Sequence, residues 1–264
     1  MSEPASSTLL GVLHLGALPA ARGHTSMDEV LDRALADAAA YAAAGFDGLI
    51  VENFGDAPFR RGTADDPVTP DVVASLALAA DRARRETGLP VGVNCLRNDG
   101  VAAFGVAAAV GAAWVRVNVL AGAYVTDQGV ISGEAARIAA YRRQVGSRAR
   151  LLADFLVKHA SPLAPLDLAT GAKDLAERSG ADGLVLSGTR TGQPVDLEVL
   201  GAVRDAVGAF PIWIGSGLTA ENAAELWPRC QGAVVGTFCK DDGRPGAPVD
   251  VERARRLRAA CAPR

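Results

Sequence analysis

The sequence is poor in lysine. Of its 27 basic residues only Lys158, Lys173 and Lys240 are lysines, and the rest are arginine. Against that background a lysine stands out, because it offers a compact ammonium with a tunable pKa. Lys173 falls on a helical pattern, whereas Lys158 and Lys240 follow apolar runs that read as strands. Cysteine is scarce as well: Cys95, Cys230, Cys239 and Cys261 have no C-x-x-C spacing. That excludes a zinc ribbon and a disulfide framework. With no secretory signal at the start, it implies a reduced, cytoplasmic setting. No apolar run of 18 residues is free of charge, so no membrane span is expected. Positive charge is not in excess either; the net charge of −3 speaks against a dedicated nucleic-acid surface. Finally, the first apolar run is not followed by the glycine-rich turn of a dinucleotide fold, which disfavours a doubly wound open sheet.

What the 264 residues do contain, with 49% apolar, is a regular alternation of short apolar runs and amphipathic stretches. Strands are expected at 9–15, 45–53, 91–95, 114–119, 151–156, 184–186, 211–214 and 233–235. Between and after them lie helices at 27–44, 70–87, 99–110, 132–145, 165–179, 195–207, 219–227 and 249–260. Ser26 with Glu29 has the spacing of a capping box, and Gly45 the place of a helix stop. The stretch 45–51 (GFDGLIV) is echoed at 180–186 (GADGLVL), as when one supersecondary unit is used repeatedly. Eight such units predict one α/β domain over 1–264, a (β/α)8 TIM barrel, with residues 1–7 as a disordered lead-in.

The stretch 214–222 (IGSGLTAEN) carries the first functional signal. An apolar strand stops at Gly215-Ser216-Gly217 and opens into a helix with Thr219 as its N-cap. Free amides and a helix dipole there make an anion site. A second apolar run ends in Gly236-Thr237. In a barrel, the turns after strands 7 and 8 form the common phosphate site. The five residues are therefore candidate phosphate ligands; the plainer alternative is that they only make tight turns.

Strand side chains alternate, so residues two apart share a face. The outside of a barrel is covered by helices, which places Glu52, Asn94, Arg116, Asn118 and Asp154 in the lumen. Leu156 and Lys158 continue the face of Asp154. Charges inside a lumen need partners or a ligand, and these lie near the strand ends where barrel active sites form. Glu52 and Asp154 are candidate acid–base groups, and Lys158 and Arg116 candidate holders of developing negative charge. His14, Asn53, Asn94, Arg97, Asn118, Asp127, Gln128, Ser187, Gly188, Thr191 and Gly192 are candidate substrate contacts. A structural ion network is the alternative for the lumenal charges. A divalent metal on His14, Glu52 and Asp154 has weak support, since the three lack local ligand spacing. No cofactor is expected. The expected partners are a phosphorylated small molecule and, because barrels often self-associate, further copies of the chain in a homo-oligomer.

Several stretches also carry a resemblance. They are 11–15 (GVLHL) with 17–19 (ALP), 51–59 (VENFGDAPF), 94–99 (NCLRND), 116–119 with 125–129 (VTDQG), 157–159 (VKH), Ser187-Gly188 with Thr191-Gly192, Gly215-Ser216-Gly217, and 235–237. Together they resemble the BtpA family, from Gly11 to the last helix. The resemblance implies a barrel and less about chemistry. The family takes its name from a role in photosystem I biogenesis, and other members are similar to proteins encoded among sugar-uptake and sugar-phosphate genes. Many members carry a histidine where Leu156 stands; were that histidine an acid–base or metal group, this chain would lack it. Two readings follow. One is an enzyme acting on a phosphorylated sugar or a ribosyl- or nucleoside-type compound, by isomerase, epimerase, lyase or glycosyl-transfer chemistry. The other is a non-catalytic barrel serving complex biogenesis or sugar-phosphate sensing.

Overall fold

A computed structural model of the chain describes residues 7–188 and 193–261. Eight parallel strands close into a barrel: β1 Thr8–His14, β2 Gly48–Glu52, β3 Val91–Asn94, β4 Trp114–Val117, β5 Arg150–Phe155, β6 Gly183–Leu186, β7 Ile212–Ile214 and β8 Gly232–Val235. They follow one another around the barrel in chain order, β8 pairing with β1. Eight helices follow the strands: α1 Met27–Ala43, α2 Pro70–Thr87, α3 Gly100–Val110, α4 Ala135–Gln144, α5 Leu168–Arg178, α6 Leu197–Val207, α7 Ala223–Leu226 and α8 Val251–Ala260. The (β/α)8 expectation is met.

Local chemistry sets the helix ends. Ser26 accepts from the Glu29 amide at the start of α1, and Asp99, Asp167, Asp196 and Asp250 cap α3, α5, α6 and α8 in the same way. Such caps satisfy amides that the first turn leaves without partners. Gly88 ends α2 in the left-handed conformation that glycine adopts freely. Ser7, expected in the lead-in, is held by its hydroxyl bond to the Cys230 carbonyl.

Three expectations need correction. The segment after β4 is a hairpin, Ala123–Thr126 with Gly129–Ser132, and Ala160–Pro162 joins it as a third strand. The hairpin consumes residues assigned to α4, which starts at Ala135 instead of 132. The helix expected over 219–227 is a single turn. Thr219 and Asn222 bond reciprocally, Oδ1 of Asn222 accepting from the Thr219 amide and Thr219 Oγ1 from the Asn222 amide. Pro228 then prevents continuation, having no N–H to give. Lastly, β5 ends at Phe155 and Leu156 takes a positive φ of 59°, so alternation breaks before Leu156 and Lys158.

The lumen is plugged by Leu10, Val12, Ile50, Trp114, Leu152, Val185, Trp213 and Val234, a cluster separate from the larger one under the helices. Glycines make room for the two indoles. A methyl on Gly232 would sit 2.4 Å from the Trp213 ring, and one on Gly48 2.9 Å from the Trp114 ring. With apolar side chains filling the lumen below, the described residues leave a cavity at the C-terminal strand ends.

Candidate active site at the C-terminal mouth

Above the plug, His14, Glu52, Asn94 and Arg116 are register partners on β1 to β4. Strand alternation turns all four inward, so the sequence period itself builds a polar belt. They line a cavity of about 400 Å³ together with Arg97, Asn118, Lys158 and the turns after β7 and β8. That volume falls in the usual range for a small-molecule site.

The belt is a chain of buried hydrogen bonds. Asn94 Nδ2 donates to Glu52 Oε2 at 2.7 Å. Arg116 lies bidentate on Asp154, with Nε to Oδ1 at 2.8 Å and Nη2 to Oδ2 at 2.9 Å. Asn118 Nδ2 gives Asp154 Oδ2 a third bond at 2.7 Å. Burial alone would lower the Arg116 pKa, but the Asp154 carboxylate outweighs it and holds the guanidinium above its ordinary value. Asp154 is thereby occupied in fixing Arg116, which leaves Glu52 as the carboxylate with an oxygen, Oε1, turned to the cavity side at His14.

His14 Nδ1 is 3.0 Å from the carbonyl of Pro245. A carbonyl only accepts, so that nitrogen carries the proton and Nε2 bears the lone pair. Burial pulls the imidazole pKa down to about 4, the Glu52 charge opposing and Lys240 adding to the effect. His14 is therefore neutral at pH 7. Phe54 packs on its ring at 4.5 Å between centroids, and Gly236 leaves the other side open: a methyl there would lie 2.7 Å from His14 Cε1.

Lys158 is half-buried in the cavity wall, and burial, reinforced by the Arg116 charge, lowers its amine to about 8. Arg97 is buried, donates from Nη2 to the Lys158 carbonyl at 2.6 Å, and burial likewise lowers its pKa. Lys240, the other lysine singled out by position, is not in the cavity. It is buried in an ion pair with Asp37 of α1 and serves the fold.

The two turns expected to hold a phosphate both lie at the mouth. Gly215, Ser216, Gly217, Gly236 and Thr237 all line the cavity. One expectation changes: the Gly215 amide donates to the Leu186 carbonyl at 2.6 Å and is not available to a ligand. Among the described residues the amides of Ser216, Gly217, Gly236 and Thr237 have no acceptor. Ser216 Oγ, Ser187 Oγ and Asn118 Oδ1 are likewise buried without a partner among them. A short α7 with its own closed turn contributes little dipole, so any anion here relies on these amides.

Other expected contacts lie elsewhere. Asn53 bonds both the amide and the carbonyl of Leu96 and lines a neighbouring cavity beside Asp56. It pins the β2 loop to the β3 loop. Asn98, not singled out from the sequence, does the same to Val119 with bonds of 2.6 and 2.9 Å. Asp127 and Gln128 sit at the hairpin tip outside the cavity wall, although the Asp127 charge acts on Arg97. Ser187 and Gly188 line an adjoining pocket with Leu156 and Tyr124. Thr191 and Gly192 lie outside the described residues. Among the described residues no three His, Cys, Asp or Glu side chains converge as a metal site; Asp154, the third proposed ligand, is taken by Arg116 and Asn118. No helix among them is long and apolar enough to cross a membrane.

Solved structures with the same architecture include tryptophan synthase of Mycobacterium tuberculosis (TM-score 0.63, 17% identity, 97% of this chain and 93% of that one). Phosphoribosyl anthranilate isomerase of Thermus thermophilus is another (TM-score 0.58, 12% identity, 96% and 97%). At such identities the likeness shows the fold alone. Sequence relatives are nearer. The chain is 44% identical to an uncharacterized protein of Thermococcus kodakarensis, over 94% of this chain and 93% of that one. It is 43% identical to the photosystem I biogenesis protein BtpA of Synechocystis, over 92% and 83%. The family model described as "BtpA family" matches residues 5–262. The chain belongs to the BtpA family.

Proposed function

We propose that this protein is an enzyme acting on a phosphorylated sugar or a ribosyl- or nucleoside-type compound by carboxylate acid–base chemistry. The observation that carries this reading is the juxtaposition, in one cavity, of a polar belt with four amides that have no acceptor among the described residues. The phosphate sits on the amides of Ser216, Gly217, Gly236 and Thr237, as anions do on such turns. Glu52 Oε1 moves a proton to or from the substrate, and Arg116 and Lys158 stabilise the negative charge that develops. His14 Nε2 accepts from a substrate hydroxyl and orients it. Asp154 is a positioning residue that holds Arg116. Isomerase, epimerase, lyase and glycosyl-transfer steps all use these roles. One structural neighbour is a phosphoribosyl anthranilate isomerase, which is in keeping with a phosphorylated ligand.

The test is a thermal-shift screen of the protein against ribose, deoxyribose and hexose phosphates, nucleotides and inorganic phosphate. A ligand at 100 times its Kd adds about 2.7 kcal/mol of stability. Thr237→Asp, a half-buried position on the cavity wall, should abolish the shift by placing a carboxylate at the phosphate turn. Gly217 is a poor choice for that variant. Its φ is 77° and an added Cβ would lie 1.9 Å from the Gln193 carbonyl oxygen, so the turn itself would break. Silence across the panel from a folded protein would overturn the reading in favour of a non-catalytic biogenesis role, for which the name of the Synechocystis relative speaks.

A further inference from the structure

Two cations in the cavity have no carboxylate partner among the described residues. Arg97 reaches in from the loop after β3, and its guanidinium donates there to a neutral carbonyl. Lys158 comes from the loop after β5, and no ion pair or hydrogen bond engages its ammonium among the described residues. Arg116, beside them, is neutralised by Asp154. Glu52 is tied to Asn94 and faces His14; its charge, like that of Asp154, reaches both cations but pairs with neither. Cations removed from water without counter-charge are unfavourable, and a ligand anion relieves them.

Their position matters as much as their charge. The strands run around the barrel in chain order, so the loop after β3, which carries Arg97, stands across the mouth from the turn after β7, and the bond of Arg97 to the Lys158 carbonyl brings the β5 loop to it. The cation pair and the amide turns are two anion sites facing one another. Between them, Asn118 Oδ1 is buried without a partner among the described residues, and His14 Nε2 presents a lone pair. Both are acceptors, suited to hydroxyl groups on whatever connects the two anions.

We infer that the cavity takes a small polyhydroxylated phosphate ester with a second anionic group, a carboxylate or another phosphate, at its far end. The first phosphate lies on the amide turns and the second anion between Arg97 and Lys158. This rests on the phosphate reading given above and narrows its substrate class.

Isothermal titration of the full chain at pH 7 tests it with matched pairs. Glucitol 6-phosphate and 6-phosphogluconate share a carbon chain and differ by a carboxylate; glycerol 3-phosphate and 3-phosphoglycerate are the shorter pair. Fructose 1,6-bisphosphate represents the second-phosphate alternative. In at least one length class the doubly anionic compound should bind about tenfold or more tighter, the size of effect given by a charged hydrogen bond. Arg97→Gln and Lys158→Gln should shrink that gain, weakening the doubly anionic compound far more than the singly anionic one. Should Arg97→Gln fail to fold, the half-buried Lys158→Gln carries the comparison. Preference for the carboxylate or for the bisphosphate names the second group, and either supports the inference. Equal affinities within every pair, with binding lost in Thr237→Asp, would overturn it and leave the phosphate site standing. No binding of any phosphate compound, inorganic phosphate included, would overturn both.

Discussion

His14 Nε2 and Glu52 Oε1 face one another across 3.9 Å, and with the imidazole proton on Nδ1 both atoms are acceptors. Two acceptors held that close by register-paired strands form a slot for a donor, and a substrate hydroxyl is the donor that a sugar-type ligand supplies. Burial, against the pull of the Glu52 charge, keeps the imidazole neutral. Its folded pKa of about 4 lies below the ordinary 6.5, so between those values the unfolded chain binds more protons than the folded one. The stabilisation is therefore complete above pH 6.5 and is lost as pH falls toward 4. At pH 5 the loss is about 2 kcal/mol, and it reaches about 3 kcal/mol at pH 4 and below. Urea unfolding of the wild type and His14→Gln at pH 7.5 and pH 5 should show that excess acid sensitivity in the wild type only. Parallel pH profiles would refute the assignment.

Much of this is legible in the sequence because it depends on period two. Alternation alone places Glu52, Asn94, Arg116 and Asp154 in the lumen, and the strands carry them there. The same rule fails at Leu156, where the strand has ended and the backbone turns to positive φ. Lys158 reaches the cavity through a turn, not along a face. The hairpin after β4 is hidden because each of its strands buries a single residue, Tyr124 or Ile131, while Val125 and Val130 are exposed, so no repeated apolar alternation marks the strands. Asn53 looks like a ligand contact because it follows Glu52. Its partners include the backbone of Leu96, and no local pattern encodes a bond between two loops. Which amides are free is also a tertiary matter, since the Leu186 carbonyl that removes Gly215 from the set lies on another strand.

The pairing of Arg116 with Asp154 yields predictions of different size for two neighbouring variants. Asp154→Asn removes the charge that compensates a buried guanidinium and should destabilise by about 3–5 kcal/mol. Asn118→Ala removes one donor from a carboxylate that keeps both bonds to Arg116, and exposes nothing charged; about 1 kcal/mol is expected. Denaturant titration of both variants distinguishes them. Equal losses would mean that Arg116 finds another partner, and its fixed position in the proposed mechanism would fall.

The lumenal plug is tested through a glycine. Gly232→Ala brings a methyl within 2.4 Å of the Trp213 ring, and 2.6 Å of the Thr8 carbonyl, so a loss of about 1–3 kcal/mol from overpacking is expected. Trp213→Leu alone opens a cavity and should cost about 2–5 kcal/mol. If the clash with the indole is the main fault of Gly232→Ala, the double variant should be less unstable than the sum of the two. Strict additivity in thermal or urea unfolding would assign the fault to the backbone contact with Thr8.

Lys158 gives the clearest separation of stability from function. Its amine, at about 8 in the folded protein, has an ordinary value of 10.5, so below pH 8 the folded state carries a charge it would rather shed. The unfolded chain binds more protons between the two values, and stability on account of this group rises with pH over that window. Replacing the ammonium with an apolar group of similar length removes the penalty. Lys158→Met should therefore be more stable than the wild type by about 1–3 kcal/mol at pH 7. The advantage should shrink as pH rises from 8 toward 10.5, where the wild-type amine is neutral in both states. An amine-selective reagent should in turn label Lys158 with a midpoint near pH 8, read by peptide mass spectrometry. A variant that gains stability and loses the anion-dependent thermal shift would behave as a binding residue held at the fold's expense. One that loses stability at every pH would show that the aliphatic stem, not the charge, is what the cavity wall requires.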